Sequence, residues 1–369
     1  MLIYVALGIA FLIPVGFLAL VRKFDLFKTG QYHLNLITIL GGVGAYFLAA
    51  WINPTLIAAG WVTRDVVIQV TAPILEEFLK AVILIYLVQR AEFNYVVDGA
   101  IYGFGAGIGF AIIENFQYIT NNPEVALPLA LARVFSTNLV HATASGVIGT
   151  ALAYRRGDAS WRGWLFIAIG YIFSIGFHMG FNTMVNGGTF LIFAIAFGFV
   201  GVGLIFYVIR QGLNTQKMWV GETLGDQDRV TKSEVQIVQN IEDINKKILE
   251  PVKKQFGAHK VPVVEKIIYN QAEMGVKRKL LESTPSESKR KEIEAIVQKL
   301  AKEMVVLQKE AGFYCMMFVR RVYLEQNAKV FDSLSARIAE SSTGQKGGGL
   351  WDRANQRMKP SPAQEEEKS

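Results

Sequence analysis

Apolar positions along the chain gather into seven runs, roughly 2–21, 32–51, 66–88, 98–119, 126–153, 163–186 and 188–209. Each is close to the ~20 residues that a membrane-spanning helix needs. The first run has no basic region before it and reads as an uncleaved helix, not a signal peptide. Beyond Arg210 the pattern becomes amphipathic: Val235, Ile237, Val238, Ile241, Ile244 and Ile248 recur at helical spacing among Lys, Glu and Asn. A longer helix is expected after Ser283-Thr284-Pro285, with Thr284 as its cap and Pro285 in its first turn. Its buried stripe would be Ile293, Ile296, Val297, Leu300, Met304 and Leu307, and it would run past Phe313 to about Ile338. From Ser341 the Gly-rich and then Glu/Lys-rich composition predicts a disordered tail. The expected fold is therefore an all-α, polytopic transmembrane bundle of about seven spans with a C-terminal soluble helical domain. Its divisions are 1–209 in the membrane, 210–340 as a cytoplasmic, coiled-coil-like helical domain, and 341–369 as the tail.

Composition supports this division. The 369 residues are 51% hydrophobic and 19% charged, with a mean hydropathy of +0.30, which is unusual for a water-soluble chain of this length. Of the 38 Lys+Arg and 31 Asp+Glu, residues 1–209 hold 10 and 9, leaving 28 and 22 beyond. Basic residues also follow alternate runs: Arg22, Lys23 and Lys28 after the first, Arg90 after the third, Arg155, Arg156 and Arg162 after the fifth. Since cytoplasmic loops carry the excess of Lys and Arg, the N-terminus is expected outside and the C-terminal domain in the cytoplasm of a multi-pass cell-membrane protein. The C-terminal Lys and Arg alternate with Glu and show no aromatic-interleaved patch, so solvated helix faces are expected and nucleic acid is not. Those helices could instead bind a partner or self-associate. Cys315, the sole cysteine, excludes an intrachain disulfide and a thiolate metal cluster.

Charge inside the apolar runs carries the chemistry. The third run holds Glu76, Glu77 and Lys80, the fourth Glu114 and Asn115, the fifth Arg133, Asn138 and His141, the sixth His178 and Asn182. Buried charge is costly unless it is paired or reached by water, so each of these helices must turn a wet side inward. The four-residue spacing puts Glu76 with Lys80, and His178 with Asn182, on common faces. At ~1.5 Å per residue, Glu76 lies roughly 15 Å from the outer end of its run, Glu114 roughly 8 Å, His178 roughly 12 Å and His141 roughly 22 Å, so convergence is sterically open. Each group alone also has a structural reading, as an ion pair or an interhelical hydrogen bond. Together, two carboxylates, two imidazoles and an amide suit hydrolysis by activated water, with a glutamate as general base and His178 and Asn182 donating to an oxyanion. No serine is paired with a base. Glu and His leave a zinc site open as an alternative, but no His-Glu-x-x-His is present, and the leading reading uses neither metal nor cofactor. Gly99, Gly103 and Gly107, every four residues in the fourth run with Gly105 and Gly109 beside them, predict close helix packing. Pro73 is expected to free the carbonyl of Gln69 and bend the helix just before Glu76.

These residues match a known order of motifs. Glu76-Glu77-Phe78-Leu79-Lys80 resembles the Glu-Glu-x-x-Lys motif of the PrsW family of glutamic intramembrane proteases, and Phe110-Ala111-Ile112-Ile113-Glu114 resembles its Phe-x-x-x-Glu. His141 is similar to that family's histidine in the next helix, and His178-Met179-Gly180-Phe181-Asn182 to its His-x-x-x-Asp, with Asn182 in place of Asp as in the related CAAX-prenyl endopeptidases and CPBP membrane proteases. The resemblance covers about Arg64 to Val185. It implies an intramembrane endopeptidase that cleaves a membrane-associated protein in or near the lipid bilayer. In this reading Glu76 is the base, Glu77 and Glu114 support it, His141 orients water, His178 and Asn182 serve the oxyanion, and Lys80 and Phe110 assist. Three rivals stand beside it: a prenyl endopeptidase of the CAAX type, a proton-coupled transporter, and an inactive scaffold.

Overall fold

A computed structural model describes residues 1–27, 30–158, 160–188, 190–224 and 232–321. All regular elements among the described residues are helical. The membrane part comprises α1 (Leu2–Arg22), α2 (Tyr32–Ala58), α3 (Arg64–Val66), a π turn (Val67–Thr71), α4 (Ala72–Leu87), α5 (Val96–Asn121), α6 (Ala126–Phe135), α7 (Thr137–Gly157), α8 (Trp161–Asn186) and α9 (Leu191–Thr223). The C-terminal part comprises α10 (Lys232–Gln239), α11 (Glu250–Phe256), α12 (Val261–Ser283), α13 (Glu287–Ala311) and α14 (Phe313–Arg321). The expected tail, and the continuation of the last helix towards Ile338, lie outside the described residues.

Among the described residues six helical stretches are long and apolar enough to cross a membrane: Leu2–Arg22, Tyr32–Ala58, Val96–Asn121, Pro123–Gly157, Trp161–Asn186 and Leu191–Thr223. Six of the seven expected runs correspond to them. The other, 66–88, is covered by α3, the π turn and α4 end to end, of which α4, at 16 residues, is the one long α-helical stretch. The fifth run is also interrupted. Ser136 leaves helical geometry at φ −125° and ψ −87° between α6 and α7, and its Oγ donates to the carbonyl of Ala132 at 2.7 Å. A serine hydroxyl bonded back to residue i−4 competes with the helix ladder and favours a bend there.

The bundle is organised around α5, which is almost wholly buried. Glycine explains how. A Cβ on Gly99, Gly103 or Gly107 would collide with the carbonyls of Gly149, Ser145 and His141 on α7, and one on Gly109 with the carbonyl of Ile39 on α2. The expected small-residue seam is thus the α5–α7 contact, with a second seam against α2. Side chains such as Leu12, Leu36, Leu40, Phe47, Ile172 and Val200 remain exposed around the outside, an apolar surface suited to lipid.

The border expected at Arg210 falls inside α9, which continues unbroken to Thr223 and carries Val220 into the core of the C-terminal part. The amphipathic stripe is buried as expected at Ile237, Val238, Ile241, Ile244 and Ile248, but the backbone beneath it is α10, a 3-10 turn and a π turn in succession. The following helix starts at Glu287, with Ser286 before it, because Thr284 Oγ1 donates back to the carbonyl of Leu280 at 2.6 Å and closes α12 instead of opening α13. Its stripe is as expected, with Ile293, Leu300, Met304 and Leu307 buried and Ile296 and Val297 packed beside them. Gly312 ends it at φ +86°, a conformation that favours glycine. Cys315 is a buried free thiol.

One buried lysine fastens the C-terminal part to the membrane part. Lys277 on α12 donates through Nζ to the carbonyls of Ala91 (2.5 Å) and Glu92 (3.0 Å), in the link between α4 and α5. From the other side, Arg156 on α7 donates to the carbonyls of Val88 and Arg90 in the same link. Burial, helped by the nearby Arg156 and opposed by Glu273, pulls the Lys277 ammonium down from 10.5 to about 8. Between these values the unfolded chain binds more protons than the folded one, so stability rises as pH increases from about 8 to about 10.5. The gain should be about 3 kcal/mol. Thermal unfolding of the full chain in detergent across that window checks this: the wild type should gain midpoint with pH, and Lys277→Met should lose that component.

Candidate active site

The wet faces expected on four helices do converge. On α4, Lys80 is fully buried and donates to Glu77 Oε1 at 2.6 Å, and its Nζ also lies 3.1 Å from His141 Nδ1 on α7. Glu77 Oε1 is shared with His178 Nδ1 on α8 at 2.9 Å, while its second oxygen is buried without a partner among the described residues. Across the site, His141 Nε2 lies 3.1 Å from Glu114 Oε2 on α5. Arg133, in the last turn of α6, donates to that oxygen at 2.6 Å. The two imidazoles meet edge to face, with centroids 4.6 Å apart, and the Phe110 ring covers both His141 and the Lys80 ammonium.

The lysine pairing corrects the expectation drawn from spacing. Lys80 bonds Glu77 at i−3, not Glu76 at i−4. Both spacings share a helix face, and the choice is made by the neighbours: His141 and His178 lie on the side of Glu77, where Lys80 also finds its second partner. Among the described residues Glu76 has no Lys or Arg at bonding distance. Its one ion-pair contact among them is His178 Nε2, 3.9 Å from Oε2, and its side chain keeps 11% exposure where Glu77 has 0%.

The network fixes the imidazole roles. An ammonium only donates, so His141 Nδ1 accepts from Lys80 and His141 Nε2–H donates to Glu114. Both nitrogens of His141 are thereby engaged. His178 donates from Nδ1 to the Glu77 carboxylate, which turns Nε2 towards Glu76. Asn182, expected beside His178 at an oxyanion, instead donates from Nδ2 to the carbonyl of Ile68 at 3.0 Å.

Arg133, open in the sequence to reading as an interhelical bond, does join α6 to α5, and through Glu114 it also reaches the site. Its Nε donates to Asn115 Oδ1 at 2.7 Å, its guanidinium stacks 3.8 Å from the Tyr118 ring centroid, and Asn115 Nδ2 passes the chain on to Asn138 Oδ1 at 3.3 Å. A lone arginine in an apolar run was itself the available signal. The break at Ser136 is what lets α6 end beside Glu114.

Comparison with known proteins agrees with the motif reading. Residues 30–209 match the family profile described as "PrsW family intramembrane metalloprotease". The chain is 34% identical over 128 residues to "Protease PrsW" of Geobacillus kaustophilus (strain HTA426), a stretch that is 34% of this chain and 55% of that protein. The chain thus spans about half the length of this curated relative. No solved structure matches it. The resemblance to the PrsW family is therefore borne out over the membrane part, which is a multi-pass helical membrane domain.

That family description names a metal, and Glu76, His141 and His178 do bring one ligand atom each within 4.8 Å of one another. Two histidines and a carboxylate form a zinc-binding donor set. The hydrogen bonds decide against it. His141 has no lone pair left while Lys80 holds Nδ1 and Glu114 takes Nε2–H, so Glu76 and His178 Nε2 remain, one short of the three protein ligands of a catalytic zinc. As arranged, these residues do not fit a resident metal.

Arg133 yields a test. Arg133→Met removes the cation from Glu114 and leaves both Glu114 and Asn115 short of a donor in a mostly buried setting, which should cost about 2 kcal/mol. Thermal unfolding in detergent should show the loss. Arg133→Lys should recover only part of it, because an ammonium cannot serve Glu114 and Asn115 with one planar fork.

Proposed function

We propose that this chain, whose residues 30–209 match the PrsW family, is an intramembrane endopeptidase that hydrolyses a peptide bond of a membrane-associated protein with water activated by Glu76. One observation carries the reading. Of the three converging glutamates, Glu77 is bonded to Lys80 and Glu114 to Arg133, while Glu76 has no Lys or Arg at bonding distance among the described residues and faces His178 Nε2. A water about 2.8 Å from each partner spans the 3.9 Å between Glu76 Oε2 and His178 Nε2.

Glu76 takes one proton from that water as its oxygen attacks the scissile carbonyl carbon. It returns the proton to the amine nitrogen as the tetrahedral intermediate collapses, giving a carboxylic acid and a free amine. Glu77 holds His178 with Nε2 towards the water, and Lys80 balances Glu77. Arg133 balances Glu114, which holds the Nε2–H of His141. Buried, hydrogen-bonded charges of this kind need not reorganise during the reaction. The substrate class is a membrane protein, since the site lies among helices whose outer surface is apolar. The alternation of Lys and Arg between spans puts the N-terminus outside and the C-terminal helices in the cytoplasm, where they offer a contact surface to a partner protein or a second copy and none suited to nucleic acid.

Purified Glu76→Gln, assayed on a transmembrane peptide, should lose at least about a hundredfold in cleavage while its thermal midpoint holds. Glu77→Gln should lower the midpoint as well, because it leaves Lys80 buried without its anion. Undiminished cleavage by Glu76→Gln contradicts the assignment. Parallel assays with prenylated and unmodified peptides should show cleavage of the unmodified ones.

A further inference from the structure

The π turn that precedes α4 leaves one carbonyl with no backbone donor. In the π register the N–H of Ala72 bonds the carbonyl of Val67, five residues back. The next carbonyl, that of Ile68, would take its hydrogen from residue 73. That residue is proline and has no N–H. The register thus shifts the carbonyl that faces the proline nitrogen from Gln69, expected in an α-helix, to Ile68. An unpaired carbonyl within a membrane-spanning helix costs several kcal/mol unless something else donates to it. Asn182 Nδ2 lies 3.0 Å from it, in donor geometry.

We propose that Asn182 is a positioning residue: its amide replaces the backbone donor that Pro73 lacks, closes the π turn, and thereby fixes the height of Glu76 against His178. The geometry connects the parts. Asn182 and His178 are one turn apart on the same face of α8, and Glu76 follows Pro73 by three residues as the fifth residue of α4. His178 grips α4 through Glu77, and Asn182 grips the backbone of the π turn before the proline. A second α8 side chain supports the same junction, as Tyr171 OH donates to the carbonyl of Ile74 at 3.1 Å. π turns recur at functional sites, and here the extra residue in the turn sets the rotation at which the glutamate leaves the helix. An amide spent on a carbonyl of the π turn is held away from a substrate oxygen, so the role is distinct from donation to an oxyanion.

The inference rests on the peptidase reading for its kinetic consequence only. Its test is a double-mutant cycle between Asn182→Ala and Pro73→Ala, read as kcat and KM on a transmembrane peptide. In the wild-type background Asn182→Ala should lower kcat roughly five- to tenfold with KM unchanged, the worth of one hydrogen bond. With Pro73→Ala, residue 73 supplies its own N–H to Ile68, and adding Asn182→Ala should then cost less than about twofold. An equal loss in both backgrounds overturns the proposal and puts Asn182 on the reacting atoms. Hydrogen–deuterium exchange of residues 64–79 gives the second reading and needs no activity, so it also decides the matter if Pro73→Ala is inactive. Asn182→Ala should speed exchange there, and Pro73→Ala should cancel that effect. Unchanged exchange in Asn182→Ala overturns the proposal, whereas altered exchange in a chain whose wild type cleaves no transmembrane peptide removes the peptidase reading and leaves the clamp standing.

Discussion

Everything in the site depends on one buried cation. Lys80 has no exposed surface, and an ammonium at that depth is tolerable only with its hydrogens spent on fixed acceptors. It spends them on Glu77 and His141. That single requirement decides which glutamate of the Glu76-Glu77 pair is structural, which tautomer His141 adopts, and through Glu77 which nitrogen His178 turns to Glu76. Glu114 and Arg133 repeat the arrangement on the opposite side, and His141 joins the two ion pairs. The outcome is a set of charges in which only one carboxylate is left uncommitted.

Much of this was legible in the sequence. Run length gave the helices, four-residue glycine spacing gave the α5–α7 seam, and ionisable residues in apolar runs gave Glu76, Glu77, Lys80, Glu114, His141 and His178 as a convergent group. What could not be read was the choice between equivalent spacings. Residues at i−3 and i−4 both face Lys80, and only the positions of α7 and α8 select Glu77. Helix boundaries failed for a related reason: Ser136, Thr284 and Gly312 act through local bonds or dihedrals that compete with helix, and a hydrophobic pattern passes straight over them.

The departures from regular helix are not scattered at random in the membrane part. The π turn before Pro73 lies one turn from Glu76, and the break at Ser136 lies between Arg133 and His141. In each case the irregularity brings a side chain to the site that a straight helix would carry elsewhere on its surface. Local rules of helix formation are broken where the chemistry needs a particular direction, and the freed backbone groups are bonded by side chains of neighbouring helices or of the same one.

The central claim is that side-chain cations, Lys80 foremost, supply the positive charge of this site and that Glu76 activates water without a metal. Elemental analysis of the purified, active full chain, with cleavage of a transmembrane peptide followed through exhaustive chelation, tests it most directly. The account predicts no stoichiometric metal and cleavage unchanged by the chelator. One metal ion per chain, whose removal abolishes cleavage and whose return restores it, would contradict the account.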